Sequence, residues 1–194
     1  MTKGRMEAFS DGVIAIIITV MVLELKVPHE GTLEAIRPVV PALLTYAFSF
    51  LNVGIYWNNH HHMLHATNRI SGAVLWANLH LLFWLSLIPF TTGWMGENHF
   101  QAVPTAVYGL VLLMSSIAYY ILARTLLAAE GPGSKLAAAI GSDSKGRVST
   151  LLYLLALPLA FVRPALAIAL YVLVSLIWLV PDRRIERRLE ERRG

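Results

Sequence analysis

Five long apolar runs leave this chain few ways to fold. They cover Val13–Val27, Val39–Trp57, Ala73–Trp94, Ala102–Ala123 and Val148–Val180 in a sequence of 194 residues. A helix needs about 20 mostly apolar residues to cross about 30 Å of hydrocarbon. In lipid the backbone must satisfy its own hydrogen bonds, which a helix does. The last run is 33 residues long and is interrupted by Arg163-Pro164. Proline in a helix interior removes a hydrogen bond and clashes with the preceding turn. The run therefore divides into Val148–Val162 and Ala165–Val180. The pattern predicts an all-α integral membrane protein with six transmembrane helices. They form one domain over residues 1–181, followed by a charged tail over residues 182–194.

Composition narrows the function. Only 14% of residues are charged, against about 25% in an ordinary soluble domain. Disorder, a collagen-like fibre and a nucleic-acid partner are excluded, and a soluble enzyme is disfavoured. Cysteine is absent, so no disulfide, thiolate metal site or cysteine nucleophile exists. Glu7 and Asp11 fall where the apolar core of a cleavable signal would begin, so the first helix is expected to stay in the mature protein. Lys and Arg set the orientation. Six spans put both termini on one side with the 2–3 and 4–5 loops, and that side collects 13 of the 16 basic residues. Lys26, Arg37 and Arg163 lie opposite. The termini are therefore expected in the cytoplasm, with the protein multi-pass. Residues 128–147, rich in Gly, Ala and Ser, read as a flexible linker. There is no internal repeat.

Ionisable residues inside a span are functional candidates. Asp11 abuts the run Val13–Ile18, with Arg5 and Ser10 near it along the chain. On a helical wheel it lies about 140° from Ile16, which suits a packing network against helices 2 and 3. A carboxylate placed near a helix N-terminus is the plainer alternative. The second cluster is Trp57, Asn58, Asn59, His60, His61, His62 and His65. His61 and His65 share a face at a spacing that can bind zinc or copper, yet no helical carboxylate or cysteine joins them. They also suit an interfacial cluster, or partners for Asp11 and Ser10. Asn78 and His80 in helix 3 read as interhelical glue or as a proton relay. No nucleophile elbow, HExxH, phosphate loop or dinucleotide fingerprint occurs. The chain is therefore not expected to be an enzyme, nor to hold a metal or cofactor. TVGYG is absent too, so an ion pathway here would lack the carbonyl filter of ordinary potassium channels.

Arg5, Phe9, Ser10 and Asp11, opening an apolar first helix, resemble the RxxxFSD motif of the transmembrane protein 175 family of cation channels. The resemblance implies a channel permeable to potassium and other monovalent cations. Six spans with cytoplasmic termini fit the bacterial branch of that family, which implies a homotetramer in a bacterial inner membrane, with helix 1 of each chain lining a central pore. It places the narrowest ring five residues after the motif Asp, at Ile16, with further levels at Thr19 or Val20 and at Leu23. With Ile16 at 0°, Gly12, Thr19, Val20, Leu23 and Val27 fall within a stripe about 100° wide. The wheel alone reads such a stripe as lipid-facing or core. Under the resemblance, the ring would gate by dewetting, with Glu24 adding charge at the outer mouth. Lys26 would offset Glu24 or pair with it across subunits. Arg5, Phe9, Ser10 and Asp11, with Trp57, His61 and Asn78, would hold helix 1 in place. The rival reading is an ion-coupled secondary transporter using Asp11 and the His60–His65 cluster.

Overall fold

The computed structural model describes residues 2–134, 136–137 and 144–179. Among these the regular structure is all helical, without strands. Helix α1 spans Lys3–Leu23, and a short 3-10 helix over Glu34–Val39 leads into α2, Val40–His65. Then follow α3 (Gly72–Ser86), α4 (Ile88–Glu97), α5 (Ala102–Glu130), α6 (Ser144–Val162) and α7 (Pro164–Leu179). Five stretches are long and apolar enough to cross a membrane: Lys3–Leu23, Glu34–His65, Gly72–Glu97, Ala102–Glu130 and Ser144–Val162. Pro164–Leu179 is a shorter apolar helix of 16 residues. The charged tail over 182–194 lies outside the described residues.

Several element limits differ from the apolar runs, each for a local reason. Helix α1 begins at Lys3, ten residues before Val13, because its inward stripe starts within the polar segment. Met6, Ser10, Ile14, Ile17 and Met21 follow at steps of four, four, three and four, and all are buried. Asp11 thus sits in the third turn, beyond the favourable dipole of the helix N-terminus. At the other end α1 stops at Leu23, with Glu24 as its C-cap and Val27 outside. The third apolar run is two helices rather than one. Pro89 occupies the first turn of α4, where its missing N–H costs nothing, and α3 ends at Ser86 just before it. Arg163-Pro164 does break the last run, with Pro164 opening α7.

The helices pack as two cores that share α5. One core joins α1, α2, α3, α4 and α5 through Ile14, Met21, Val53, Leu81, Ile88 and Leu122. The other joins α5, α6 and α7 through Tyr108, Leu112, Tyr153, Ala160 and Tyr171. Apolar attraction between helices is weak in lipid, so close approach and hydrogen bonds matter more. Both are present. Thr92 Oγ1 donates to Ser49 Oγ at 2.7 Å, and Ser49 also pairs with the Tyr108 hydroxyl at 2.9 Å, tying α4, α2 and α5. The Glu130 carboxylate at the end of α5 accepts the backbone N–H groups of Asn68 and Arg69, both at 2.6 Å. This pins the α2–α3 turn.

Gly109 is a close-approach point. A Cβ there would lie 2.0 Å from the Tyr171 hydroxyl, which donates to the Thr105 carbonyl at 3.1 Å. Gly109→Ala is expected to lower Tm measurably, since overpacking costs about 1–3 kcal/mol. Gly54→Ala, where nothing lies within 4 Å of the new Cβ, serves as the control. Equal Tm for the two variants would remove Gly109 from the packing argument.

Candidate functional site: the two faces of helix 1

Helix α1 presents opposite chemistries on its two sides. Its inner face is covered by α2, α3 and α4. Its outer face carries Gly12, Ile16, Thr19, Val20 and Leu23, all exposed on the protomer. Ile16 is 63% exposed and Leu23 76%. Four large or hydroxyl-bearing side chains therefore form one ridge that nothing in the same chain covers. Thr19 Oγ1 donates to the Ala15 carbonyl at 2.8 Å. Its one proton is thereby turned back onto the helix, which leaves the oxygen lone pairs on the outer side.

The inner face is fixed by a short polar chain. Ser10 is fully buried, and its hydroxyl donates to the Met6 carbonyl at 2.9 Å. With that proton used, Ser10 Oγ can only accept, and it accepts from Asn78 Nδ2 at 2.9 Å. The amide oxygen of Asn78 then faces His60 Nε2, 2.7 Å away. An amide oxygen cannot donate, so His60 Nε2 carries the proton. Met6, Ser10, Asn78 and His60 thus join α1, α3 and α2 in one directed sequence, every member buried.

The remaining motif residues take separate directions. Asp11 is exposed on the protomer and accepts from Trp57 Nε1 at 3.0 Å, a direct bond between α1 and α2. His61 stacks against Trp57 at a ring-centroid distance of 6.2 Å and lies edge-on to His62 and His65. The residue that reaches Asn78 is therefore His60 rather than His61, and no histidine hydrogen-bonds Asp11. Arg5 and Phe9 point outward, and neither makes a side-chain hydrogen bond or ion pair among the described residues. Lys3 Nζ instead donates to the His65 carbonyl at 3.1 Å, a cation at the C-terminus of α2 where the helix dipole favours one. No group of three or more His, Asp or Glu side chains converges as a metal site among the described residues. His80 Nε2 accepts from Trp84 Nε1 at 2.9 Å within α3.

At the opposite end of α1, Glu24 is exposed. Lys26 pairs with Glu97 of the same chain at 2.9 Å. That pair ties the segment after α1 to the end of α4.

A signal for His60 was present in the sequence. The buried polar positions of α2 are Thr45, Ser49, Asn52 and His60, whose spacings of four, three and eight keep one helical face. Polar side chains recurring on one face of a membrane helix point to protein rather than lipid. Adjacent His61 lies 100° away and leaves that face.

A family model described as "Endosomal/lysosomal potassium channel TMEM175" matches residues 5–89, the stretch that holds Arg5, Ser10, Asp11, Trp57, His60 and Asn78. A potassium channel of Chryseobacterium sp. (strain P1-3) is 54% identical over 191 residues, covering 98% of this chain and 100% of that one. The chain belongs to the TMEM175 family. A potassium channel of Streptomyces collinus (strain DSM 40733 / Tue 365) is 33% identical over 187 residues, with 91% of each chain covered. The crystal structure of a lysosomal potassium-selective channel TMEM175 homolog from Chamaesiphon minutus superposes with a TM-score of 0.80 at 28% identity, covering 91% of this chain and 96% of that one. Membership in TMEM175 makes this a multi-pass membrane protein of a channel family rather than an enzyme.

Proposed function

We propose that four copies of this TMEM175 chain surround a central pore lined by α1, through which potassium and other monovalent cations cross a bacterial inner membrane. The reading is carried by one observation: the ridge Gly12, Ile16, Thr19, Val20 and Leu23 is uncovered on the protomer, while the opposite side of the helix is locked by buried hydrogen bonds. An apolar ridge beside a rigid anchor suits a ring whose diameter must be held to within a fraction of an ångström.

Ile16 forms the narrowest ring in this proposal. Four isoleucine side chains offer a cation nothing in place of its water, so the ring conducts only when wide enough to stay wet. Thr19 lies one level further out, with its lone pairs directed outward. Val20 and Leu23 complete the wall. The C-terminal end of α1 and Glu24 then favour cations at the outer mouth, each helix end carrying roughly half a negative charge. With no carbonyl filter, discrimination between potassium and sodium rests on ring diameter and the cost of dehydration.

The test uses the absence of native cysteine. Leu23→Cys places a single thiol at the outer end of the ridge. A cationic methanethiosulfonate reagent added outside is expected to cut potassium flux in liposomes by more than half. Unchanged flux with the thiol modified overturns the placement of α1 at the axis.

Asp11→Ala removes the acceptor for Trp57 and is expected to reduce the recovery of tetramer on size-exclusion chromatography. Asp11→Asn keeps an acceptor oxygen and is expected to restore it. Normal tetramer recovery for Asp11→Ala would show that this bond does not hold the assembly.

A further inference from the structure

We infer that each protomer holds a pocket for a short-chain neutral alcohol, set apart from α1 and lined by α2, α5, α6 and α7. The cavity measures about 40 Å³, while one water needs about 10–15 Å³. Helix α2 contributes Tyr56 and Asn59, α5 Ser116, α6 Tyr153, and α7 Ser175 and Trp178.

The hydrogen-bonding state of these groups selects the ligand. Much of the wall is already satisfied. Trp178 Nε1 donates to Ser149 Oγ at 2.8 Å, Ser175 Oγ to Asn52 Oδ1 at 3.0 Å, and Ser116 pairs with Thr150 at 3.2 Å. Three groups are not. Tyr153 is 97% buried (3% exposed), yet its hydroxyl bonds to no described residue. The Tyr56 hydroxyl has no described partner either. Asn59 spends an amide N–H on the Ile55 carbonyl at 2.8 Å, which leaves its oxygen open. Tyr56 and Asn59 are half-buried, and polar groups that face a cavity without a protein partner call for water or a ligand. Among the described residues no charged side chain lines the cavity. An ion entering it would lose its water without a countercharge. A neutral molecule with one hydroxyl and a short apolar body meets both demands, because the tyrosine and tryptophan rings supply the apolar walls.

The pocket also bears on helix 1. The Tyr119 hydroxyl, on its wall, donates to the Asn59 carbonyl at 3.4 Å. The next residue is His60, which begins the polar chain to Ser10. An occupant that shifts α2 therefore shifts the anchor of α1. This coupling rests on the channel reading; the binding itself does not.

The experiment irradiates the full chain in liposomes with a diazirine-bearing butanol and maps the label by mass spectrometry. Label is expected on Tyr56, Tyr153 and Trp178, reduced more than twofold by excess 1-butanol. Ser116→Leu fills the cavity and is expected to abolish that labelling. Tyr153→Phe deletes a hydroxyl that the protein does not use, so Tm is expected to hold while labelling falls several-fold. Label spread over lipid-facing residues without competition, or Tyr153→Phe labelled like wild type, overturns the pocket. In the same liposomes 1-butanol is expected to change potassium flux at least twofold in wild type and not in Ser116→Leu. Labelled, conducting liposomes whose flux ignores butanol overturn the coupling. Labelled liposomes that carry no potassium overturn the channel reading while the pocket stands.

Discussion

Ile16→Asn is expected to raise potassium flux from liposomes by at least tenfold over wild type. Four amides at the narrowest ring would each offer a cation or its water an oxygen and two N–H donors. A dry constriction becomes a wet one, and each fall of about 1.4 kcal/mol in the barrier is worth a factor of ten. Placement decides the sign of the effect. If Ile16 faced lipid, the same substitution would put an unpartnered amide into hydrocarbon at a cost of about 2–7 kcal/mol. Yield or stability would then drop and flux would not rise. The 63% exposure of Ile16 on the protomer suits either environment, so the direction of the flux change discriminates between them. Ile16→Leu, similar in volume and equally apolar, is expected to leave flux within a few-fold of wild type. Wild-type flux in Ile16→Asn, with the protein intact in the bilayer, would take Ile16 out of the constriction.

Asn78→Leu is expected to give the largest loss of stability among substitutions on the α1 anchor. Asn78 serves two buried partners at once, Ser10 at 2.9 Å and His60 at 2.7 Å. Leucine has similar bulk but no polar atom. It would leave His60 Nε2–H without an acceptor and Ser10 without its donor, in a site where Asn78 itself is 2% exposed. Each orphaned group costs about 1–3 kcal/mol, which corresponds to a fall in Tm of more than about 5 °C for a chain of this size. Ser10→Ala should cost less, because only the amide N–H of Asn78 loses its partner. Adding His60→Leu to Asn78→Leu removes the stranded donor, so the double variant should recover part of the loss. Additive losses in the pair would show that the two residues do not share one network, and an unchanged Tm for Asn78→Leu would show that the anchor contributes nothing.

The fate of individual residues shows how far one dimension reached. Arg163-Pro164 marked a helix boundary because proline's missing donor is a local fact. Pro89 carries the same signal, yet it lies inside an apolar run of span length, so the run reads as one helix and the break before α4 does not show. The apolar run Val13–Val27 located the first helix but not its start, since Met6 and Ser10 lie inward within a polar segment. Asp11 and Asn78 stood out as polar groups at depth. Trp57 and the histidines stood out beside them, but which of them meets which did not, because Trp57 and His60 lie 46 and 18 positions from Asp11 and Asn78. His60 and His61 are chemically identical neighbours. Only the rotation of α2 against α3 sends one to Asn78 and leaves the other stacked on Trp57.

Hydrophobic patterning settled on its own that the chain is helical and belongs in a bilayer, since the length of an apolar run and the need to satisfy backbone groups in lipid are properties of a segment alone. The RxxxFSD segment pointed to its family in the same way, through residues within seven positions of one another. Which side of α1 is anchored and which stays open was decided by tertiary packing. The apolar residues of α1 look alike in the sequence, and only the arrival of Asn78, Val53 and Ile88 from other helices buries Ile14 and Ile17 while leaving Ile16 uncovered.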